Sequence, residues 1–350
     1  MVNHERYMQR CLQLAGLGAG RVAPNPMVGA LLVYEERIIG EGYHQQYGGP
    51  HAEVNCINSV LESDKQFIKQ STMYVSLEPC AHFGKTPPCA DLIAENKIPT
   101  VIIGCRDSFA EVDGKGIEKL KIAGINVELG ILEKESVELN KRFFTFHEKQ
   151  RPYIILKWAQ SSDNMIAGTG SERIVISNDV SNILVHKWRS EEAAILVGTN
   201  TALQDDPALT TRLWPGNNPL RLVIDKELKL PASLKLLDGS TKTIVFNYKK
   251  QSVVDDLIYQ QLNRDEDILP QILSGLYQQQ IQSVIVEGGS KLLQSFIDAG
   301  LWDEARVITN TEMVIGNGIA SPVLKSEVLF REEKSANDIV SFFKKDGYKN

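Results

Sequence analysis

"GGPHAEVNC", residues 48–56, and "EPCAHFGKTPPC", residues 78–89, decide how this chain is read. A His-x-Glu pair such as His51 and Glu53 carries almost no information by itself. It gains meaning from Cys80 and Cys89, each directly after a proline. One imidazole and two thiolates suit tetrahedral zinc with the fourth position open. An open position marks a catalytic metal, which lowers the pKa of a bound water to roughly 7. Pro50 can start a helix from about His51 to Val60. That puts Glu53 in the first turn, able to reach the metal's water as general acid/base without being a ligand. The competing reading is a structural zinc completed by His44, His82 or Cys105. Cys11, Cys56 and Cys105 otherwise read as small apolar core residues. Five cysteines, an odd number confined to the first third, argue against a disulfide framework.

The order His-x-Glu, then Pro-Cys…Cys, resembles the signature of the zinc-dependent nucleobase deaminases. Their usual signature has two residues between the cysteines; here there are eight, "AHFGKTPP". The longer form resembles that of the riboflavin-biosynthesis pyrimidine deaminases. His51-Ala52-Glu53, Glu78-Pro79-Cys80 and Gly84-Lys85-Thr86-Pro87-Pro88-Cys89 carry the likeness, with "PNPMVGA" at 24–30 and Gly42-Tyr43-His44. The resemblance implies a cytidine-deaminase-like three-layer domain. It also makes Asn25, His44, His82, Lys85 and Asp107 contacts of a phosphoribosylated pyrimidine. Asn25 can hydrogen-bond a pyrimidine edge, and Lys85 can neutralise a phosphate.

Around these motifs the chain reads as α/β. Residues 4–19 have helical apolar spacing. Two strands flank a Glu35-Glu36 turn, "TMYVSLEPC" and "TVIIGC" are β-rich, and "CADLIAENK" is helical. Residues 131–150 read as a polar helix. Arg151-Pro152 is the expected domain boundary, giving domains 1–150 and 151–350. The second half restarts with strand candidates "YIILKWAQ", "RIVIS", "AAILVG", "LRLVID", "TKTIVF" and "QSVIVE". Helices are expected at Val180–Ser190 and Leu269–Gln279, and after the Gly288-Gly289 turn. This alternation predicts a second α/β domain. The 350 residues are 43% hydrophobic with a net charge of −6. That acidic balance opposes nucleic acid as a partner, including the reading as an RNA-editing deaminase. Neither a secretory signal nor a membrane span is apparent, so a cytoplasmic location is expected.

The second half's strongest local feature is "VIVEGGSKLLQSF", residues 284–296: a strand ending at Glu287, two glycines, and a helix from Ser290. Such a helix start attracts phosphate. It is not a Gly-x-Gly-x-x-Gly dinucleotide fingerprint. With "LKWAQSSD" (156–163) and "HKWRSEEAAILVGTNTALQDDPALTTR" (186–212) it resembles the reductase domain of the bifunctional riboflavin-biosynthesis deaminase–reductases. The likeness implies a dihydrofolate-reductase-like α/β domain that uses NADPH to reduce a ribosylamino pyrimidine to a ribitylamino one. By that resemblance Ala159, Thr201, Asp205 and Gly289, Ser290, Lys291, Leu292, Leu293, Gln294 and Ser295 line the cofactor site. Lys157 and Glu287 hold the ribose, Arg189 and Arg212 take phosphate or hydroxyls, and Leu209 joins the substrate contacts. Asp205 also handles a proton near the nicotinamide. A homo-oligomer, dimer or tetramer, is implied too. Two departures stand out: Asp163-Asn164-Met165 where the family often has Asp-Gly-Lys, and Ile174 or Val175 where a tryptophan is frequent.

Overall fold

The structure, a computed structural model, describes residues 3–83, 87–109, 112–170 and 174–346. The chain divides into two units between Lys149 and Gln150.

The first unit runs α1 (His4–Gly16), β1 (Gly29–Tyr34), β2 (Arg37–Tyr43), α2 (Ala52–Asn58), β3 (Thr72–Leu77), α3 (Cys89–Glu95), β4 (Thr100–Cys105), α4 (Lys115–Ile122), β5 (Asn126–Leu129), α5 (Glu133–Leu139) and α6 (Lys141–Lys149). Its sheet has the order β2-β1-β3-β4-β5. The β1–β2 hairpin turns on Glu35 and Glu36, whose φ values of 47° and 63° are the pair that a tight hairpin with right-handed twist requires. β3, β4 and β5 are parallel. Side chains alternate across the sheet, and both faces are covered. Leu31, Val33, Tyr74 and Ile102 pack with Tyr7, Met8, Cys11 and Leu14 of α1. Ala30, Leu32, Val75 and Ile103 pack with Ala52 and Cys56 of α2 and Ile93 of α3. This is the three-layer arrangement. Gly42 sets the approach of α2: a Cβ there would sit 2.2 Å from the Cys56 nitrogen.

The second unit runs β6 (Tyr153–Ser161), β7 (Met165–Gly168), α7 (Asp179–Glu191), β8 (Ala194–Gly198), α8 (Thr199–Asp205), β9 (Leu220–Ile224), β10 (Thr243–Asn247), β11 (Ser252–Val254), β12 (Leu257–Gln261), α9 (Ile268–Gln278), β13 (Ser283–Val286), α10 (Ser290–Asp298), β14 (Glu304–Asn310), β15 (Gly318–Ala320), β16 (Glu327–Ser335) and β17 (Asp338–Lys345). Ten strands form one sheet, β11-β12-β10-β9-β8-β13-β6-β14-β17-β16, parallel from β12 to β14 and antiparallel at both ends. A core of Ile154, Leu156, Leu196, Leu222, Val284 and Val286 lies beneath α9 and α10 on one face. Ile155, Ile195, Val223 and Ile285 meet α7 on the other.

Two expectations are corrected. Residues 131–150 form two short helices, and α6 buries Phe143, Phe144 and Phe146, so it is not a polar helix. "RIVIS" is not a strand: residues 174–177 carry no strand, and Arg173 lies outside the described residues. Ile174 and Val175 are exposed, so nothing holds them in a sheet.

Candidate active sites

Pro50 precedes α2 as expected, with His51 at the N-cap in extended geometry. β3 ends at Leu77 and sends Glu78-Pro79-Cys80 toward it, while Cys89 opens α3. The His51 Nδ1 lies 3.6 Å from the Cys80 sulfur and 3.3 Å from that of Cys89. The three donor atoms lie within 4.8 Å of one another. Among the described residues His44, His82 and Cys105 do not join this group. Cys105 instead donates to the Ser76 carbonyl. Two thiols and one imidazole, with no fourth protein donor among the described residues, fit zinc bound with one open position. The Cys89 backbone N–H points at the Cys80 sulfur, at 3.3 Å. Hydrogen bonding with the Cys89 thiol, and with His51, pulls the Cys80 thiol well down toward thiolate. Glu53 is buried, with its carboxyl facing Cys80, His51 and Cys89; burial pushes its pKa up.

A relay of side chains runs away from this cluster. The His44 Nδ1 is 2.9 Å from the Pro50 carbonyl, which can only accept, so Nδ1 carries the proton. The Nε2 then accepts from the Asn25 amide at 3.1 Å. Burial lowers the His44 pKa and keeps the ring neutral. The turn carrying Asn25 is fixed by Asn140, whose side chain bonds both the N–H and the carbonyl of Met27. Asn25, His44 and His51 are thus brought together. His82 lies edge-on to Phe109, centroids 6.4 Å apart. Asp107 is buried at 5% exposure, and burial pushes its pKa up to about 6. Lys85 lies outside the described residues, as do Gly84 and Thr86.

In the second unit, β8, β13 and β6 are neighbouring parallel strands, and their carboxyl ends carry the predicted residues. Ligands bind at such ends in open α/β sheets. Glu287, just past β13, takes Arg189 of α7 in a two-pronged pair, 2.8 and 2.6 Å, with Lys157 of β6 at 3.7 Å. Burial raises the Glu287 pKa, but Arg189 and Lys157 outweigh it and hold the carboxyl at about 2. Gly289 caps α10, and its N–H donates to the Thr201 hydroxyl at 2.9 Å. The first-turn N–H groups of Ser290 and Lys291 are those a helix cannot satisfy itself. A Cβ on Gly289 would lie 3.4 Å from the Thr201 oxygen, an ordinary contact distance. These features fit a phosphate of a dinucleotide. Leu293 is fully buried in the core, the Val323 N–H donates to the Gln294 side chain, and the Ser295 hydroxyl donates to the Leu292 carbonyl. Ala159 is half-buried on β6. Asp205 is exposed at the end of α8, whereas Asp206 pairs with Lys235. Leu209, at φ 52°, is in the core, so only its backbone can reach a ligand.

One residue escaped the sequence reading. His186 sits one turn before Arg189 on α7; its Nδ1 accepts the Arg212 N–H at 2.9 Å, and the Thr210 carbonyl also faces the ring. It clips the 209–212 segment to α7. Burial, then Arg189 and Arg212, lower its pKa to about 4. The i, i+3 spacing of His186 and Arg189 was the available signal.

A three-layer zinc deaminase of the cytidine type joined to a dihydrofolate-reductase-like reductase is the class that these folds and sites define. Residues 1–105 match the cytidine and deoxycytidylate deaminase zinc-binding region, and residues 152–338 match the RibD C-terminal domain. The riboflavin biosynthesis protein RibD of Aquifex aeolicus (strain VF5) is 39% identical over 97% of this chain and 98% of its own. That of Escherichia coli (strain K12) is 35% identical over 86% and 85%. The crystal structure of a diaminohydroxyphosphoribosylaminopyrimidine deaminase/5-amino-6-(5-phosphoribosylamino)uracil reductase from Thermotoga maritima aligns with a TM-score of 0.90 at 36% identity, over 98% of each chain. The chain belongs to the RibD family of bifunctional riboflavin-biosynthesis enzymes, with a zinc-binding deaminase domain and an NADPH-dependent reductase domain.

Proposed function

We propose that residues 1–150 hydrolyse an amino group from diaminohydroxyphosphoribosylaminopyrimidine, and that residues 151–350 reduce the resulting phosphoribosylaminouracil with NADPH. The observation that carries the first step is a buried Glu53 beside the His51, Cys80 and Cys89 donors. Zinc there supplies Lewis acidity at its open position. Glu53 takes one proton from the attacking water and gives it to the ring nitrogen; it then takes the second from the hydroxyl left on the carbon and gives it to the amino group, which departs as ammonia as the C–N bond breaks and the carbonyl forms. Burial raises its pKa above the ordinary carboxyl value, which makes it a stronger base for the water's proton. The fixed His44 tautomer turns the Asn25 amide so that its oxygen is left for a pyrimidine edge. His82, Lys85 and Asp107 complete the substrate contacts.

In the second unit Glu287 stays a carboxylate and accepts from a ribose hydroxyl, with Lys157 and Arg189 beside it to bind the opened sugar. Arg212 and the backbone of Leu209 hold the remainder of the substrate. NADPH supplies the reducing equivalent; Thr201, Gly289, Ser290 and Ala159 orient it, and Asp205 exchanges the accompanying proton with solvent. The enzyme works in the cytoplasm as a homo-oligomer, with small molecules and not nucleic acid as partners.

The test is a coupled assay of ammonia release and NADPH oxidation on the full chain, wild type and Glu53→Ala. The expected variant loses ammonia release yet still reduces supplied deaminated substrate. Zinc-loaded wild type that releases no ammonia would refute the reading at its first step.

A further inference from the structure

Glu78 belongs to the Glu-Pro-Cys motif, yet the reaction described so far gives it no task. It is 4% exposed and forms no ion pair among the described residues. Its carboxylate accepts four backbone N–H groups: Asp107 at 3.3 Å and Gly114 at 3.0 Å on Oε2, Gly116 at 3.0 Å and Ile117 at 3.2 Å on Oε1. Its own N–H donates to the Cys105 carbonyl at 3.0 Å. One side chain, two residues before Cys80, therefore ties the end of β4 and the start of α4 to the strand that delivers a metal-site thiol. The fit is close elsewhere too. A Cβ on Gly116 would lie 1.9 Å from the Pro79 carbonyl oxygen. Asp107 is held at this junction, its carboxyl accepting the Phe109 N–H at 2.8 Å.

We infer that Glu78 is a positioning residue for deamination: it sets where Asp107 stands relative to the zinc-site segment Pro79-Cys80. The inference rests on the reading of Asp107 as a substrate contact. The four donors occupy both oxygens of the buried carboxylate, two on each. Glu78→Gln keeps the shape but replaces one oxygen by an amide N–H₂, which must face either the Asp107 and Gly114 donors or the Gly116 and Ile117 donors. In either orientation the junction that carries Asp107 must shift relative to Pro79-Cys80. Small displacements of a substrate-holding group cost rate steeply.

The experiment is steady-state deamination of the phosphoribosylated diaminopyrimidine by the full chain, with zinc per chain measured on each preparation. Glu78→Gln is expected to retain its zinc and to raise KM by roughly ten-fold with little change in kcat. Asp107→Ala should raise KM as well, and the double variant should be no worse than the more severe single one. A purely structural Glu78 would instead lower the active fraction and leave KM alone. If Asp107→Ala raises KM and zinc-loaded Glu78→Gln does not, or if the two effects simply add, the inference fails and the Asp107 reading stands. An unchanged KM in Asp107→Ala removes that reading and the inference with it. Should Glu78→Gln lose zinc, Gly116→Ala decides: zinc retained with a raised KM supports the inference, and zinc lost or KM unchanged overturns it.

Discussion

Arg189 and Glu287 meet in a fork-to-fork pair, Nε to Oε1 at 2.8 Å and Nη2 to Oε2 at 2.6 Å, with side chains only 13% and 9% exposed. They come from different elements, α7 and the end of β13, 98 residues apart in sequence. Lys157 adds a third element, β6. Charges buried to this degree are costly unless each is answered. The pair therefore fixes α7 against the carboxyl end of the sheet and keeps three polar groups poised where the sugar is proposed to bind.

Removing one partner should be far worse than neutralising it. Glu287→Ala removes the buried carboxylate that Arg189 and Lys157 share, a loss of about 3–5 kcal/mol. Glu287→Gln keeps the shape and one acceptor. We expect a much larger fall in Tm for the alanine variant, and loss of reduction in both. Thermal melts beside NADPH oxidation check this; equal Tm values would contradict it.

The same carboxylate should make the second unit acid-sensitive. Glu287 titrates at about 2 in the fold against an ordinary 4.5. A depressed carboxyl contributes its stability above the unfolded value and loses it as pH falls toward the folded one. That contribution, on the order of 3 kcal/mol at neutral pH, should fade between about pH 5 and 2. His186 acts in the same direction over a higher window. Its pKa falls from 6.5 to about 4 because the fold holds it neutral, so the unfolded chain binds the extra proton and stability declines as pH drops between those values. Denaturation of His186→Gln should show a flatter dependence between pH 6.5 and 4 than wild type, with the slope below that range retained.

Much of this was legible in advance, and the limits have physical causes. His51, Glu53, Cys80 and Cys89 announced themselves because a metal demands particular donors, and the short α2 and the β3 exit deliver them without long-range surprises. Lys157, Arg189 and Glu287 were each named, but their union was not readable, because it depends on the order β8-β13-β6, in which sequence-distant strands become neighbours. Glu78 was visible only as part of a motif; its four donors come from a segment 29 to 39 residues further on. The apolar run in α6 was hidden by the charged residues around Phe143, Phe144 and Phe146. β16 is hard to read from sequence because it is exposed along most of its length and shows little apolar alternation.

Thr201 offers a test of the cofactor reading. Its hydroxyl is the acceptor for the Gly289 N–H at the start of α10. Thr201→Val keeps the shape and leaves that donor unanswered, which costs about 1–3 kcal/mol if it stays buried. The turn that presents the Ser290 and Lys291 N–H groups should loosen, raising KM for NADPH by roughly three- to ten-fold. Ammonia release should be unaffected. An unchanged KM for NADPH would separate Thr201 from the cofactor site.

Glu53 and Cys80 should fail in different ways. Cys80→Ser removes a soft donor, so zinc should be lost along with ammonia release. Glu53→Gln removes only the proton carrier: zinc should stay bound, and deamination should fall by about 10²–10⁴-fold, the usual contribution of a positioned general acid/base. Chelation of the wild type should mimic Cys80→Ser and be reversed by added zinc, whereas added zinc should do nothing for Glu53→Gln. NADPH-dependent reduction of supplied deaminated substrate should persist in all three, because the residues proposed for it lie in the second unit. Loss of zinc from Glu53→Gln would make Glu53 a ligand and leave the proton transfers without their carrier; full deamination by that variant would give them to another group.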